Sequence, residues 1–370
     1  MKYLKCAREW TELVRNMEPD SSLAWLMSNA GPAIKYRTVT ELLGKDSKSA
    51  EKDLLSSSLV NFWLANLKPG LDRNDLHGAK TETYENAMER LFEFGLKKGK
   101  PVLDKKTELF RRWLRTRVDP LRERYFPIFH RTLVAAFLAM TGYADDEAVK
   151  EWTIRRLETI YPTAKEGTLT EVYVPNDFFP SFPKTFKNVP LINPELYLKD
   201  EFRLPWIHDI NAFLHSPFIL EDSTLRSKVE RIIEFILTPE YQKLPWGYGV
   251  IRHESGRYYA MGWSVHLSGY FETPAPIQHS GRWLLLLRLL ARSRTVRGHA
   301  WYERSLETLR QFKCEDGLVR FPRAFLPEKR IGCWVLGMRM GLEENRRTQK
   351  VMTCESTFRF LEITLQSARG

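Results

Sequence analysis

Cysteine is scarce in this chain: four residues in 370, at positions 6, 314, 333 and 354, with no Cys-x-x-Cys pair. That spacing argues against a disulfide framework and against the usual zinc-binding arrangements, and the four read as free buried thiols. Long apolar runs are missing as well. The longest apolar cluster, Trp283–Leu290, covers about two helical turns and contains Arg288, far short of the ~18 residues that a membrane helix needs. The stretch MKYLKCAREWTELV carries charge throughout and has no apolar core, so it does not read as a signal peptide, and a cytoplasmic location is expected. The GxxxxGKS/T loop, GxGxxG, HExxH and GxSxG are all absent. Neither a cofactor nor a metal site is expected.

Positive charge and aromatic side chains are what the chain has in abundance. The formal net charge is +11, and 12% of residues are aromatic, with 11 Trp. Most basic residues alternate with acids, as in EDSTLRSKVERIIEF; the densest clusters run from Arg111 to Arg124 and from Arg288 to Arg297. A solvated basic surface is the first reading, and a face for an anionic partner the second. Partners are expected among apolar or anionic small-molecule or polymeric ligands. No specific nucleic-acid motif is present.

Helical periodicity runs through most of the chain. Residues 7–18 carry Trp10, Leu13 and Val14 on one face. In SLAWLMSNAGPAIKYRTVTELLG, a short helix breaks at Asn29–Gly31, Pro32 starts the next, and Gly44 stops it. Further helices are expected over 50–70, 105–117, 128–142, 145–161, 280–294, 299–312, 328–342 and 351–366, and helix-then-turn units over 85–103, 147–173 and 228–250. Two segments differ. Residues 165–205 carry six prolines, a density no helix tolerates. Residues 243–271, KLPWGYGVIRHESGRYYAMGWSVHLSGYF, mix glycine with aromatics and predict one short β-hairpin around Glu254–Gly256. A helix-then-turn unit recurs, best seen in YERSLETLRQFKCEDGLVRF, and repeats of this size predict a stacked or ring-shaped helical array.

SLAWLMSNAGPAIKYRTVTELLG and LRQFKCEDGLVRF also carry a family resemblance. The first is similar to an N-terminal signature, and the second to the degenerate Gln…Asp-Gly…aromatic repeat, of the bacterial squalene-cyclase-like and prenyltransferase-like proteins of the α/α-toroid superfamily. The resemblance implies an all-α fold of the (α/α)6 toroid type, a ring of paired helices formed by residues 1–370 as a single domain. Residues 1–44 would pack on the ring as a helical hairpin, and the loops 165–205 and 243–271 would stand at the cavity mouth. The chain departs from the family's chemistry. It has no Asp-x-Asp-Asp, Asp145–Asp146 being the nearest approach, and neither Cys333 nor Cys354 has an adjacent histidine.

Candidate site residues come from three clusters. In 246–271, Trp246, Tyr248, Tyr259, Trp263, Tyr270 and Arg257 suit substrate binding through flat faces and charge; His266, His253, Glu254 and Tyr258 suit acid–base work. In PWIHDINAFLHS, His208 and Asp209 are catalytic candidates, with His208 and Asn211 on a common helical face. In DLHGAKTETYENAME, His77 stands beside a helix start capped by Thr81 or Thr83. Trp334 is a further substrate-binding candidate. The expected function is a terpene-cyclase- or prenyltransferase-like toroid protein that binds a large apolar or polymeric substrate in a central aromatic-lined cavity, with the reaction open. One alternative is a non-catalytic ligand-binding or scaffold protein using its basic surface. Another is a polysaccharide-lyase-like enzyme using Tyr and His.

Overall fold

The structure is a computed structural model and describes residues 21–117, 127–197, 201–271 and 280–369; the helix expected over 7–18, Cys6 and Arg124 lie outside them. Helix accounts for 58% of the structure, well above the ~30–35% of an average globular protein. The helices are α1 Ser21–Asn29, α2 Pro32–Arg37, α3 Lys48–Ser56, α4 Ser58–Asn66, α5 Arg73–Leu76, α6 Tyr84–Glu93, α7 Pro101–Arg115, α8 Pro127–Leu138, α9 Glu147–Glu166, α10 Ile207–Leu214, α11 Pro217–Glu221, α12 Ser223–Ile236, α13 Pro239–Gln242, α14 Ser280–Leu290, α15 Arg294–Arg297, α16 Ala300–Arg310 and α17 Gln349–Arg369. Two π-helical segments, Thr38–Leu42 and Ala139–Tyr143, continue α2 and α8.

Helix boundaries follow local chemistry. Proline occupies the first turn of α2, α7, α11 and α13, where its missing N–H costs nothing. Ser47, Asp146, Asp222 and Ser293 accept backbone N–H groups at the starts of α3, α9, α12 and α15. Thr83 holds the cap position of α6, but its hydroxyl is turned to the Lys80 carbonyl instead. Helix α9 runs past the expected end at residue 161, through Pro162, to a left-handed Gly167. Pro162 is exposed, so the carbonyl it leaves unbonded can take water.

The helices sort into two layers. All residues of α6, α10 and α14 are buried, as are all but Phe129 of α8. Helices α7, α9, α12 and α16 bury one face only, the signature of an amphipathic outer helix. Helix α6 packs on α8, α8 on α10 and α10 on α14; the mostly buried α17 packs on α14 and on α2. The Arg37 guanidinium on α2 donates to the Glu93 carbonyl on α6 at 3.0 Å. Helix α9 packs over α8 and α10 and under α12, and α1 lies along α17.

A small sheet ties the two non-helical segments together. Strands β1 Tyr173–Val174 and β2 Leu191–Ile192 come from the proline-rich stretch; β3 Val250–Arg252 and β4 Tyr258–Ala260 form the expected hairpin. The order is β1-β2-β3-β4, with β2 parallel to β3 and the other pairs antiparallel.

The helix expected over 328–342 is not there. That segment holds a Glu328–Arg339 bridge and one 3-10 turn at Trp334–Leu336. Glycines at 332, 337 and 341 weaken any helix, and the carbonyls left free are taken by buried arginines. Arg90 reaches Arg339 O at 2.8 Å, Arg282 reaches Val335 O at 2.9 Å, Arg339 reaches Gly332 O at 3.0 Å and Arg359 reaches Met340 O at 2.7 Å. Buried backbone groups need partners, and here guanidiniums supply them.

Gly337 makes this segment testable. Its φ is +65°, and a Cβ there would collide with the backbone of Gly281 and Arg282 on α14. Gly337→Ala is therefore expected to destabilise the protein by about 3 kcal/mol, combining left-handed strain with overpacking. Gly44 has a similar φ of +64° with nothing near a Cβ, so Gly44→Ala should cost only ~1 kcal/mol. Urea denaturation of both variants compares the two losses; equal losses would mean that the contact with α14 contributes nothing.

Candidate binding cavity between the buried helices

A cavity of 570 Å³ opens between α2, α6, α10, α14 and α17, a volume within the usual range of small-molecule sites. Both π-helical segments border it, through Thr40, Glu41 and Leu42 on one side and Ala139, Met140 and Gly142 on the other; π-bulges are frequent at functional sites. Apolar wall comes from Phe92, Ile207, Leu285, Leu286, Leu289 and Leu365, with Trp334 and Val335 from the glycine-rich segment.

Charge dominates the rest of the wall. Six basic side chains line it (Arg37, Lys97, Arg282, Arg288, Arg292 and Arg297) against three acidic ones, Glu41, Glu89 and Glu362. Most belong to one buried ion-pair network. Arg37 bonds Glu41 at 2.7 Å and also pairs with Glu362. Arg288 pairs with Glu93 and lies 3.6 Å from Glu362, and Arg359 reaches Glu93 at 3.0 Å. Burial alone would raise both carboxyls, but Arg288, Arg359 and Arg37 hold Glu93 far below the ordinary range, and Arg37 with Lys97 holds Glu41 at about 2.

Three wall residues fall outside this balance. Glu89 is 1% exposed and neither carboxyl oxygen has a hydrogen-bond partner. Burial, and then the charge of Glu93, raise its pKa to about 8, so the carboxyl is protonated at neutral pH. Arg282 donates to the carbonyls of Val335, Ser264 and His266 and lies 4.2 Å from the Trp246 ring centre, but meets no carboxylate; burial lowers its pKa to about 9. Arg292 is accessible to water yet closely surrounded by protein, as a residue at a cavity wall is. Its guanidinium makes no hydrogen bond or ion pair with the described residues, and burial and then Arg288 lower its pKa.

Of the side chains nominated from sequence as catalytic or substrate-binding, Trp334 is on this wall; Asn211, placed on the His208 face of its helix, and the basic cluster from Arg288 to Arg297, through Arg288, Arg292 and Arg297, also reach it. Three more, His77, His208 and Trp263, gather just behind it. His208 contacts Trp334 at 5.6 Å and Phe129 at 5.4 Å between ring centres; Phe129 in turn meets His77 and Trp263. Both ring nitrogens of His208 lack partners, and burial brings its pKa to about 3, so the ring is neutral. Nδ1 of His77 lies 2.8 Å from Glu85. Trp263 holds a φ of +66°, strain of a kind that concentrates at functional sites.

The others stand apart from the cavity. Asp209 accepts from the Trp206 N–H at the start of α10 and takes a two-pronged ion pair from Arg156 at 2.8 and 3.0 Å; that position is a fully buried anchor. The ring nitrogens of His266 lie 2.7 Å from Ser264 Oγ and 2.6 Å from the Leu244 carbonyl, and burial lowers its pKa. Trp246 covers Arg282 and is half exposed. Tyr248 is buried and donates to the Pro205 carbonyl at 2.5 Å. Tyr270 donates to the Leu237 carbonyl at 2.6 Å. His253, Glu254, Arg257, Tyr258 and Tyr259 all sit on the hairpin. His253 bonds Ser255 and faces Tyr259, Tyr258 stacks edge-on against Phe182, and Arg257 offers its carbonyl to the His253 N–H.

Apart from the basic cluster Arg288 to Arg297, the charged wall escaped the sequence reading, although a signal existed. Glu89 and Glu93 in ENAMERLFEF, Arg288 in WLLLLRLL, and Arg359 and Glu362 in TFRFLEIT are charges set at apolar helical positions. Among the described residues, no three His, Cys, Asp or Glu side chains gather in a way that would hold a metal ion. The chain matches no protein-family profile, and no curated protein or solved structure shows significant similarity to it.

The role of Asp209 can be separated from that of the hairpin histidine. Asp209→Ala leaves Arg156 as a buried unpaired charge and should cost about 3–5 kcal/mol, whereas His253→Ala, on an exposed turn, should stay within ~0.5 kcal/mol. Thermal and urea unfolding give both values. A stable Asp209→Ala variant would remove the case for an anchor and restore Asp209 as a site residue.

Proposed function

We propose that the buried helices α2, α6, α8, α10, α14 and α17 close into an α/α ring of the kind the sequence resembles. We further propose that the enclosed cavity binds a ligand with an apolar body and an anionic group. The neighbour relations of those helices and their cover of amphipathic outer helices support the ring. The carrying observation for the ligand is the imbalance of charge on the wall. With Glu89 neutral, six cations face two ionised carboxylates, a surplus of about four positive charges around one cavity, which attracts anions to it. Arg282 and Arg292, which have no carboxylate, are the natural partners of an oxyanion. Leu285, Leu286, Leu289, Phe92 and Trp334 suit the apolar body. An open cavity favours this reading over a scaffold with a filled centre. Tyr258 and His253, which the lyase-like alternative needs, are half-buried on the hairpin and stand outside the cavity. No chemical step is assigned.

Calorimetric titration with octyl sulfate below its micelle concentration tests the reading against octanol and inorganic sulfate. Octyl sulfate should bind, octanol should bind far more weakly, and sulfate should fall between. Arg292→Gln, which breaks no hydrogen bond or ion pair among the described residues, should weaken octyl sulfate at least about tenfold, the equivalent of 1.4 kcal/mol, with the urea midpoint unchanged. Equal binding of octanol and octyl sulfate would rule out an anion site.

A further inference from the structure

Glu89 sits in the cavity wall with an unmet need. Its carboxyl is buried on α6, both oxygens lack a partner, and the network that neutralises Glu93 one turn away does not extend to it. An unbonded buried carboxyl is costly, and such a group in a ligand cavity is placed to bond the ligand. We propose that Glu89 is the cavity's proton-carrying recognition residue: it donates its carboxyl O–H to an oxyanion of the bound ligand, so that binding the anion is coupled to uptake of a proton. The inference rests on the anion reading above and adds to it the identity of the donor and a dependence on pH.

The surroundings support this role. On α6 itself, Glu93 disfavours a second negative charge, while Arg90 is bonded to carbonyls of the glycine-rich segment. From α14 come Arg288, paired with Glu93, and Arg282, bonded to carbonyls. Helix α17 brings Arg359 and Glu362, which are paired with Glu93 and Arg37. Arg339 in the glycine-rich segment is spent on Gly332 O. His208 on α10 and His215 at its C-terminal cap are held neutral by burial, as is His130 on α8; Arg131 on α8 is bonded to the Leu114 and Thr116 carbonyls. Helix α4, also packed on α6, carries no charge, and α5 brings Arg73 and Asp75 at the far end. Arg90, Arg288 and Arg359 favour the ionised form of Glu89 from a distance, but they are bonded to other acceptors and burial with Glu93 outweighs them. A protonated Glu89 gives an oxyanion a donor, whereas an ionised one repels it. Binding should therefore be strongest below about pH 8, where the free cavity already holds the proton, and weaken as pH rises through that value.

The test is octyl sulfate titrated into the full chain at pH 7 and pH 9, since the sulfate ester does not itself titrate in this range. The wild type should bind about tenfold more weakly at pH 9, and at pH 8, in buffers of differing ionisation heat, should take up roughly half a proton per ligand. Glu89→Gln keeps a donor that cannot ionise; it should bind at pH 7 like the wild type and lose no more than about twofold at pH 9, the share expected of Arg282. The buffer series on the wild type stands alone if Glu89→Gln does not fold. Octyl sulfate binding that is equal at both pH values without proton uptake, or a tenfold loss that persists in Glu89→Gln, overturns the role of Glu89 and leaves the anion site intact. Absence of octyl sulfate binding at either pH overturns both.

Discussion

Glu93 and Glu362 each hold two arginines drawn from different helices, and in doing so fix where four of those helices stand. Arg288 on α14 and Arg359 on α17 converge on Glu93 of α6; Arg37 of α2 and Arg288 converge on Glu362 of α17. A buried ion pair contributes little net stability, since dehydrating the charges offsets their attraction, but loss of one partner costs about 3–5 kcal/mol. The arrangement therefore acts mainly as a constraint. A slip of any one helix along its neighbour would strand a charge away from water, so the network selects one register out of the several that apolar packing alone would accept. The cavity walls inherit that register, and so do the unpaired groups Glu89, Arg282 and Arg292.

The glycine-rich segment 328–342 completes the same design with backbone instead of side chains. Because it is not helical, its carbonyls are free to receive Arg90, Arg282, Arg339 and Arg359. Guanidiniums that would otherwise need carboxylates are satisfied without cancelling their charge. Of the four, Arg282 lines the cavity, and it brings its positive charge to the wall with its hydrogen bonds made to carbonyls.

Much of the fold could be read from the sequence because it depends on local signals. Pro32 and Gly44 mark helix boundaries, apolar spacing marks α7 and α9, and the hairpin turns at Glu254–Gly256 as its glycine implies. The two failures have physical causes. MRMG and GCWVLG carry helical spacing, but the segment's carbonyls bond arginines more than a hundred residues away in sequence, in Arg90's case, and no local pattern reports that. The candidate site was sought where aromatics and histidines cluster without helix. His77, His208, Trp263 and Trp334 do come together, but the cavity beside them is walled by charges embedded in apolar helices, whose pairing is visible only once the helices are assembled. His266 and Tyr248 show the converse: chemically versatile side chains whose polar atoms are already occupied by backbone carbonyls.

The span of these pairings also has a consequence for synthesis. Arg37 and its partner Glu362 are 325 residues apart, Gly31 bonds Glu343 across 312, and Ser22 reaches Gly317 across 295. At ribosomal rates, α2 and α6 wait roughly tens of seconds before the helices that neutralise them are made. During that interval Arg37, Glu89 and Glu93 must remain hydrated, so the early helices cannot complete a dry core by themselves. The nascent chain is thus kept open until α17 emerges, and for that time its apolar faces are available to whatever chaperone attends the ribosome.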